Sequence, residues 1–414
     1  MKMPATKSWF RRNTAASDTK TSSNTRKIES LDSIRGVAAF SVIIWHFASI
    51  FFPAAIGAGA SSAHSQYDTW FYRSPLASLF SGSLAVALFF VLSGFVLTLR
   101  FFENKQTSLF AAAVKRYFRL MPIALFSVLL SYIVLALGFY TNVLNDTVTK
   151  SPWTGSTYFS FVPSFMGAIW QGTIGVFNLQ AEPSSTYNPV LWTIYYELLG
   201  SFIIFGLASL CRGWHKRWIL YGIAITAFIH TYFVGFIVGM VLADLYANFP
   251  GLYRRITLLP RLYKVGALLG AFLIGSYPSI VGMPGAAMGK YWETLSLSKG
   301  DLALSRTLLQ LAAGTVIIIL VLTWDRLHRL LEHRVALWLG RISYSVYAIH
   351  FVLLYSLTTT LFTLFRHHIG YIPSAFVSLV LTIPVVLLVA HIMHIYIERP
   401  SIALANHVGE WAKK

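Results

Sequence analysis

Residues 80–99 read FSGSLAVALFFVLSGFVLTL, twenty consecutive positions without a charge. As a helix this stretch rises about 30 Å, the thickness of the hydrocarbon core of a bilayer. Outward from it, apolar runs recur along the chain, and eleven are candidate spans. They are 33–52, 80–99, 120–140, 161–179, 190–211, 218–229, 231–246, 265–283, 307–324, 336–360 and 374–397. Of the 414 residues, 56% are hydrophobic and only 12% charged, against about 45–50% and about 25% in soluble domains. Mean hydropathy is +0.62. A soluble enzyme, a disordered scaffold and a fibrous repeat are excluded. The expected fold class is all-α: a polytopic membrane helical bundle.

Charge distribution orders the spans. Net charge is +18, and the basic residues sit in short stretches between apolar segments, which suits an anionic bilayer surface better than nucleic acid. The segment 161–179 contains Pro163, Gly167, Gly172 and Gly175 and makes a poor spanning helix. With that segment re-entrant or interfacial, ten transmembrane helices remain and both termini are cytosolic. Of the 33 Lys and Arg, 27 then fall inside and six outside, as the positive-inside rule requires. Three parts follow: a disordered basic cytosolic tail (1–30), a transmembrane domain (31–400) and a short cytosolic C-terminal tail (401–414). No segment remains for an appended soluble domain. The sequon Asn145-Asp146-Thr147 falls in the long outer loop 141–189. The single cysteine, Cys211, rules out an internal disulfide and a thiolate cluster and reads as a packing residue.

Titratable groups at bilayer depth cost several kcal/mol and are functional candidates by default. Arg35 and His46 are eleven positions apart on the first span, hence on one face and about 16 Å apart along the axis. Two readings of His46 stand side by side: a general base for a hydroxyl, or a histidine bonded structurally to a neighbouring helix. Counted from the ends of their spans, His46, Glu197 and His350 fall in neighbouring layers of the outer half. A carboxylate there would fix the tautomer of an imidazole. In KRYFRLMP, Lys115, Arg116 and Arg119 precede a span on the inner side. They are suited to the phosphates of a cofactor arriving from the cytosol, or to ordinary anchoring. No P-loop, dinucleotide-binding fingerprint or HExxH occurs. His367, His368, His391 and His394 lack partners at metal-ligand spacing, so no metal site is assigned.

Several stretches, taken in order, resemble the membrane-bound acyltransferase 3 family. LDSIRGVAAFSVIIWHF at 31–47 is similar to its opening signature, Arg, ten residues, then His. FFVLSGFVLT at 89–98, RYFRLMP at 116–122, LWTIYYEL at 191–198, GRISYSVYAIHF at 340–351 and IERP at 397–400 resemble its later landmarks. The resemblance spans about 31–400, with Ser33 where the family usually has Gly. It implies an integral-membrane O-acyltransferase moving an acyl group, often acetyl, from acyl-CoA to a hydroxyl. It further implies His46 as catalytic histidine, Arg35 as its partner and Arg116 with Arg119 as contacts for the acyl donor. Beside these, Glu197 is read as a further catalytic group, and Lys115, Tyr344 and His350 as further contacts for the donor or other substrate. The implied partners are acyl-CoA (acetyl-CoA), which serves as donor substrate rather than bound cofactor, a hydroxylated small-molecule acceptor and the lipid bilayer.

A rival reading from another class is a proton-coupled secondary transporter using His46, Glu197 and His350 as a relay, and a third is a silent lipid sensor. Acceptor choice is expected to lie in the loops 53–79 and 141–189. The acceptor would be a carbohydrate, a secondary metabolite or another small molecule, and the location an endomembrane or the plasma membrane.

Overall fold

The computed structural model describes residues 15–103, 108–141, 146–154, 157–178, 185–211, 213–278, 290–298 and 300–412. Asn145 of the sequon, the chain before Ala15 and the last two lysines lie outside the described residues. The described residues are helical and loop in character, without strands.

The chain-order helices that matter for the site are α1 (Ala15–Phe51), α2 (Gly82–Phe102), α3 (Leu109–Ala136), α4 (Phe165–Thr173), α5 (Trp192–Cys211) and α6 (Arg217–Phe228). They continue with α7 (Phe233–Asn248), α8 (Arg261–Gly275), α9 (Leu302–Thr323), α10 (Arg334–Leu353), α11 (Thr359–Ile369), α12 (Tyr371–Met393) and α13 (Arg399–Trp411). The side-chain hydroxyls of Ser81 and Ser108 cap α2 and α3, accepting from Leu84 N and Ala111 N, each at 3.2 Å. One π-helical turn, Leu354–Thr358, joins α10 to α11, and another, His394–Glu398, joins α12 to α13.

Apolar helices stand at all ten positions where spans are expected. Seven are long and apolar enough to cross a membrane, and an eighth results if Phe233–Asn248 and Pro250–Thr257, bent by 91°, count as one. The expected crossings at 218–229 and 265–283 are the shorter α6 and α8, of 12 and 15 residues. Segment 161–179 holds α4, whose nine residues cover only about 13 Å, too little to cross. The helix of α1 begins at Ala15, so residues 15–30 have helical backbone. The C-terminal segment is the helix α13, packed along α3.

Two close crossings organise the bundle, α2 with α7 and α1 with α10. At the second, a Cβ on Gly36 would lie 2.6 Å from Gly340 N, and one on Gly340 2.5 Å from Asp32 O. Only hydrogen fits at either place, and small residues are how membrane helices come within van der Waals reach. That contact brings Arg35 and Arg341, one position along from each glycine, to the same end of the molecule. At the same end, Asp244 ties α6 to α7. It accepts from Arg217 Nε at 2.6 Å and Nη2 at 2.9 Å, and from Tyr221 and Asn248.

Candidate active site

A cavity of about 220 Å³ opens among α1, α2, α3, α5, α10 and the α12–α13 junction. Arg35, Arg116, Arg119 and Arg341 line it, with Asp32, Glu197 and Glu398 as the only carboxylates among the described residues. The arginines are not equivalent. Arg116 is buried, and its Nη2 lies 2.5 Å from Glu197 Oε2, whose other oxygen accepts from Ser93 Oγ at 2.8 Å. Arg35 Nη1 reaches Asp32 Oδ1 at 3.2 Å. Arg119 and Arg341 have no hydrogen-bond or ion-pair partner among the described residues. Guanidiniums facing one cavity have the chemistry to hold an anion such as phosphate.

The remaining expected residues separate into two groups. Tyr344 lines the cavity, its hydroxyl donating to Leu120 O at 3.2 Å. Lys115 does not line it: Nζ donates to Asn406 Oδ1 on α13 at 3.2 Å, and its stem lies on Gly409. Lys115 thus fastens the C-terminal helix instead of joining Arg116 and Arg119. The i, i+3 pair shares a helical face that the preceding lysine does not.

Glu197 is also placed differently from its expected layer. It sits with Arg116 in the cavity, not beside the imidazoles. The reason is that the start of α5 is buried within the bundle. Asn188, 1% exposed, donates from Nδ2 to Ser127 Oγ and to Ala348 O, both at 2.7 Å, and so anchors the start of α5 inside the bundle. Nine residues later, Glu197 is about 13 Å further along, level with the arginines.

His46 and His350 do meet. Their ring centroids are 5.1 Å apart, with planes at 43°. His350 is fully buried, whereas His46 is partly exposed and is flanked by Trp45 and Phe351. Neither lines the cavity, which ends against Val86, Phe89, Thr193 and Tyr347. The Tyr347 ring lies 5.6 Å from that of His350 and 5.8 Å from that of Phe89. Its hydroxyl donates to Val190 O at 2.9 Å and accepts from Thr193 Oγ1 at 3.1 Å. One aromatic side chain therefore separates the arginine-lined cavity from the imidazole pair.

Beyond the imidazoles, loops cover the far end of α1. Ser151 Oγ donates to Ser49 O at 2.5 Å, Tyr355 OH donates to Trp153 O, and the Tyr158 ring stands 5.3 Å from that of Phe351. His64 stacks on Tyr371 at 3.9 Å, and its Nε2 donates to Thr149 O at 2.8 Å.

Some lining residues escaped the sequence reading. Ser93 and Glu398 stand inside quoted motifs, but nothing in those strings gives their partners. His394, set aside for want of a partner, has its Nδ1 2.9 Å from Glu398 Oε2, which also accepts from Ser345 Oγ. Arg341 is marked only by its place beside Gly340. Among the described residues no three His, Cys, Asp or Glu gather as a metal site.

The class of molecule is now defined: a multi-spanning helical membrane protein with an arginine-lined cavity one aromatic ring from a pair of imidazoles. A family model for the acyltransferase domain of the acyltransferase 3 type matches residues 28–391, and the chain belongs to that family of membrane acyltransferases. No curated protein and no solved structure matches it.

Proposed function

We propose that the protein is an O-acyltransferase. It takes an acyl group, acetyl in the reading preferred here, from acyl-CoA and passes it to a hydroxyl of a small-molecule, secondary-metabolite or carbohydrate acceptor. The supporting observation is the placement of two unpaired guanidiniums, Arg119 and Arg341, in a cavity that ends one aromatic ring from His350 and its neighbour His46.

In this reading the donor's phosphates rest on the arginines at the cytosolic face and its thioester arm runs along the cavity past Tyr344. Tyr347 and Phe89 swing aside to admit the thioester. His46 removes the acceptor's hydroxyl proton as the oxygen attacks the thioester carbonyl carbon. The tetrahedral adduct collapses, the C–S bond breaks, and the leaving thiolate takes the proton from the His46 imidazolium. The products are an ester and free CoA thiol, and the imidazole returns to its neutral form. Arg35, held by Asp32, and Glu197, holding Arg116, act at the donor end. The proton-relay reading is weakened, because Glu197 is committed to Arg116 and Ser93 and leaves the relay without its third member.

Metabolite profiling of cells with and without the protein, searching for mass differences of one acyl group, supplies the acceptor. With it, purified protein is expected to transfer acetyl from acetyl-CoA, and folded His46→Ala to show none. Retained transfer in His46→Ala removes that residue from the chemistry. Solute flux driven by pH without any CoA requirement favours the transporter.

A further inference from the structure

His350 carries a geometric clue about its own protonation. Its Nδ1 lies 2.8 Å from Tyr347 O and 3.3 Å from Val346 O. A carbonyl oxygen only accepts, so the neutral imidazole bears its proton on Nδ1 and donates it there. Nε2 is then a bare lone pair. It is buried in a residue with no exposed surface, and no donor among the described residues reaches it.

A fully buried acceptor calls for a donor. The neighbouring polar ring is His46, whose centroid is 5.1 Å away. Two imidazoles joined edge to edge by one N–H···N bond of about 2.9 Å have centroids roughly 5 Å apart. The ring nitrogens of His46 have no other hydrogen-bond partner among the described residues. A modest rotation of the partly exposed His46 ring closes the bond.

We propose that His350 is a positioning residue: its Nε2 accepts the ring N–H of His46 and so holds the other His46 nitrogen as a lone pair turned to the acceptor hydroxyl. This rests on the acyltransfer reading of His46. The role sought for Glu197 in the sequence passes to a second imidazole, itself oriented by the backbone of Tyr347. The chain of orientation is Tyr347 C=O, His350, His46, then substrate, the pattern of a base fixed by a group behind it. When His46 takes the hydroxyl proton, the His350 lone pair faces the new imidazolium and stabilises it. The proton stays on His46 until the thiolate collects it, and His350 does not change its own protonation.

The test reads tautomers first, because that measurement needs no activity. Full-length protein labelled with ¹⁵N-histidine is expected to show one His350 signal with the proton on Nδ1, assigned by its loss in His350→Gln. His46 is expected to show one tautomer, becoming a mixture in His350→Phe. A proton on Nε2 of His350, or a His46 signal indifferent to His350→Phe, overturns the proposal. Kinetics form the second arm. His350→Phe should lower kcat by about tenfold or more, part of the roughly 10²–10⁴-fold that a placed general base contributes, with KM for acetyl-CoA within about twofold. His350→Gln, whose amide oxygen replaces the Nε2 lone pair, should recover most of kcat. Unchanged kcat in His350→Phe, or no rescue by glutamine, contradicts it. If His46→Ala retained transfer, the acyltransfer reading of His46 would fall while the spectra still decided the tautomers.

Discussion

Arg119, like Arg341, has no hydrogen-bond or ion-pair partner among the described residues, and at the residue scale it is the sharpest probe of the proposed donor site. Arg119→Ala is expected to raise KM for acetyl-CoA by about tenfold or more, the loss of one charge-assisted contact, with kcat little changed. Initial rates across a donor titration check this, and an unchanged KM returns Arg119 to membrane anchoring. Arg116 behaves differently because Glu197 already holds it at 2.5 Å. Glu197→Ala leaves a buried guanidinium without its carboxylate, at a cost of about 3 kcal/mol or more in stability. Thermal unfolding in detergent should show a lower Tm before any assay is run. A further residue-scale prediction lies outside the spans. Burial pushes the pKa of the His64 imidazole below its usual 6.5, so the folded loop favours the neutral ring. Its stabilising contribution is full above that value and is lost as pH falls through it. Cleavage in the loop 53–80 by an added protease should accelerate between about pH 7.5 and about pH 5.5. His64→Phe, which keeps the stacking surface on Tyr371, should abolish that acceleration.

At the scale of elements, the crossing of α1 with α10 sets the site, since Arg35, His46, Arg341, Tyr344, Tyr347 and His350 all stand on these two helices. Gly340→Leu drives a side chain into the Asp32 carbonyl and should cost about 3 kcal/mol or more. Gly222→Leu on α6, where a Cβ meets nothing within 4 Å, should fall within about 0.5 kcal/mol of the parent. Equal losses at both sites contradict the close crossing. Helical positions and the shared face of Arg35 and His46 were legible in the sequence because each depends on local periodicity. The depth of Glu197 was not. Counting from the end of an apolar run assumes a helix that starts at the membrane surface, and Asn188 anchors α5 well inside. The contacts of Lys115 and His394 were not legible for a related reason: their partners, Asn406 and Glu398, belong to the C-terminal helix and to a π-helical turn, which apolar patterning does not reveal.

Across the whole molecule, charge and apolarity divide the labour. A basic end gathers four arginines around an open cavity. The opposite half holds two imidazoles, one of them fully buried, beneath the loops that carry Ser151, Trp153 and Tyr158. Between them stands Tyr347, whose ring closes the cavity and whose carbonyl orients His350. The two ends cooperate only if the donor's thioester passes that ring. A structure of the protein bound to a non-transferable thioether analogue of acetyl-CoA examines this directly. The account predicts phosphates on Arg119 and Arg341, Tyr347 turned from Val190 O, and the analogue's carbonyl beside His46. An analogue bound elsewhere, or seated in the cavity with Tyr347 unmoved and His46 out of reach, contradicts it.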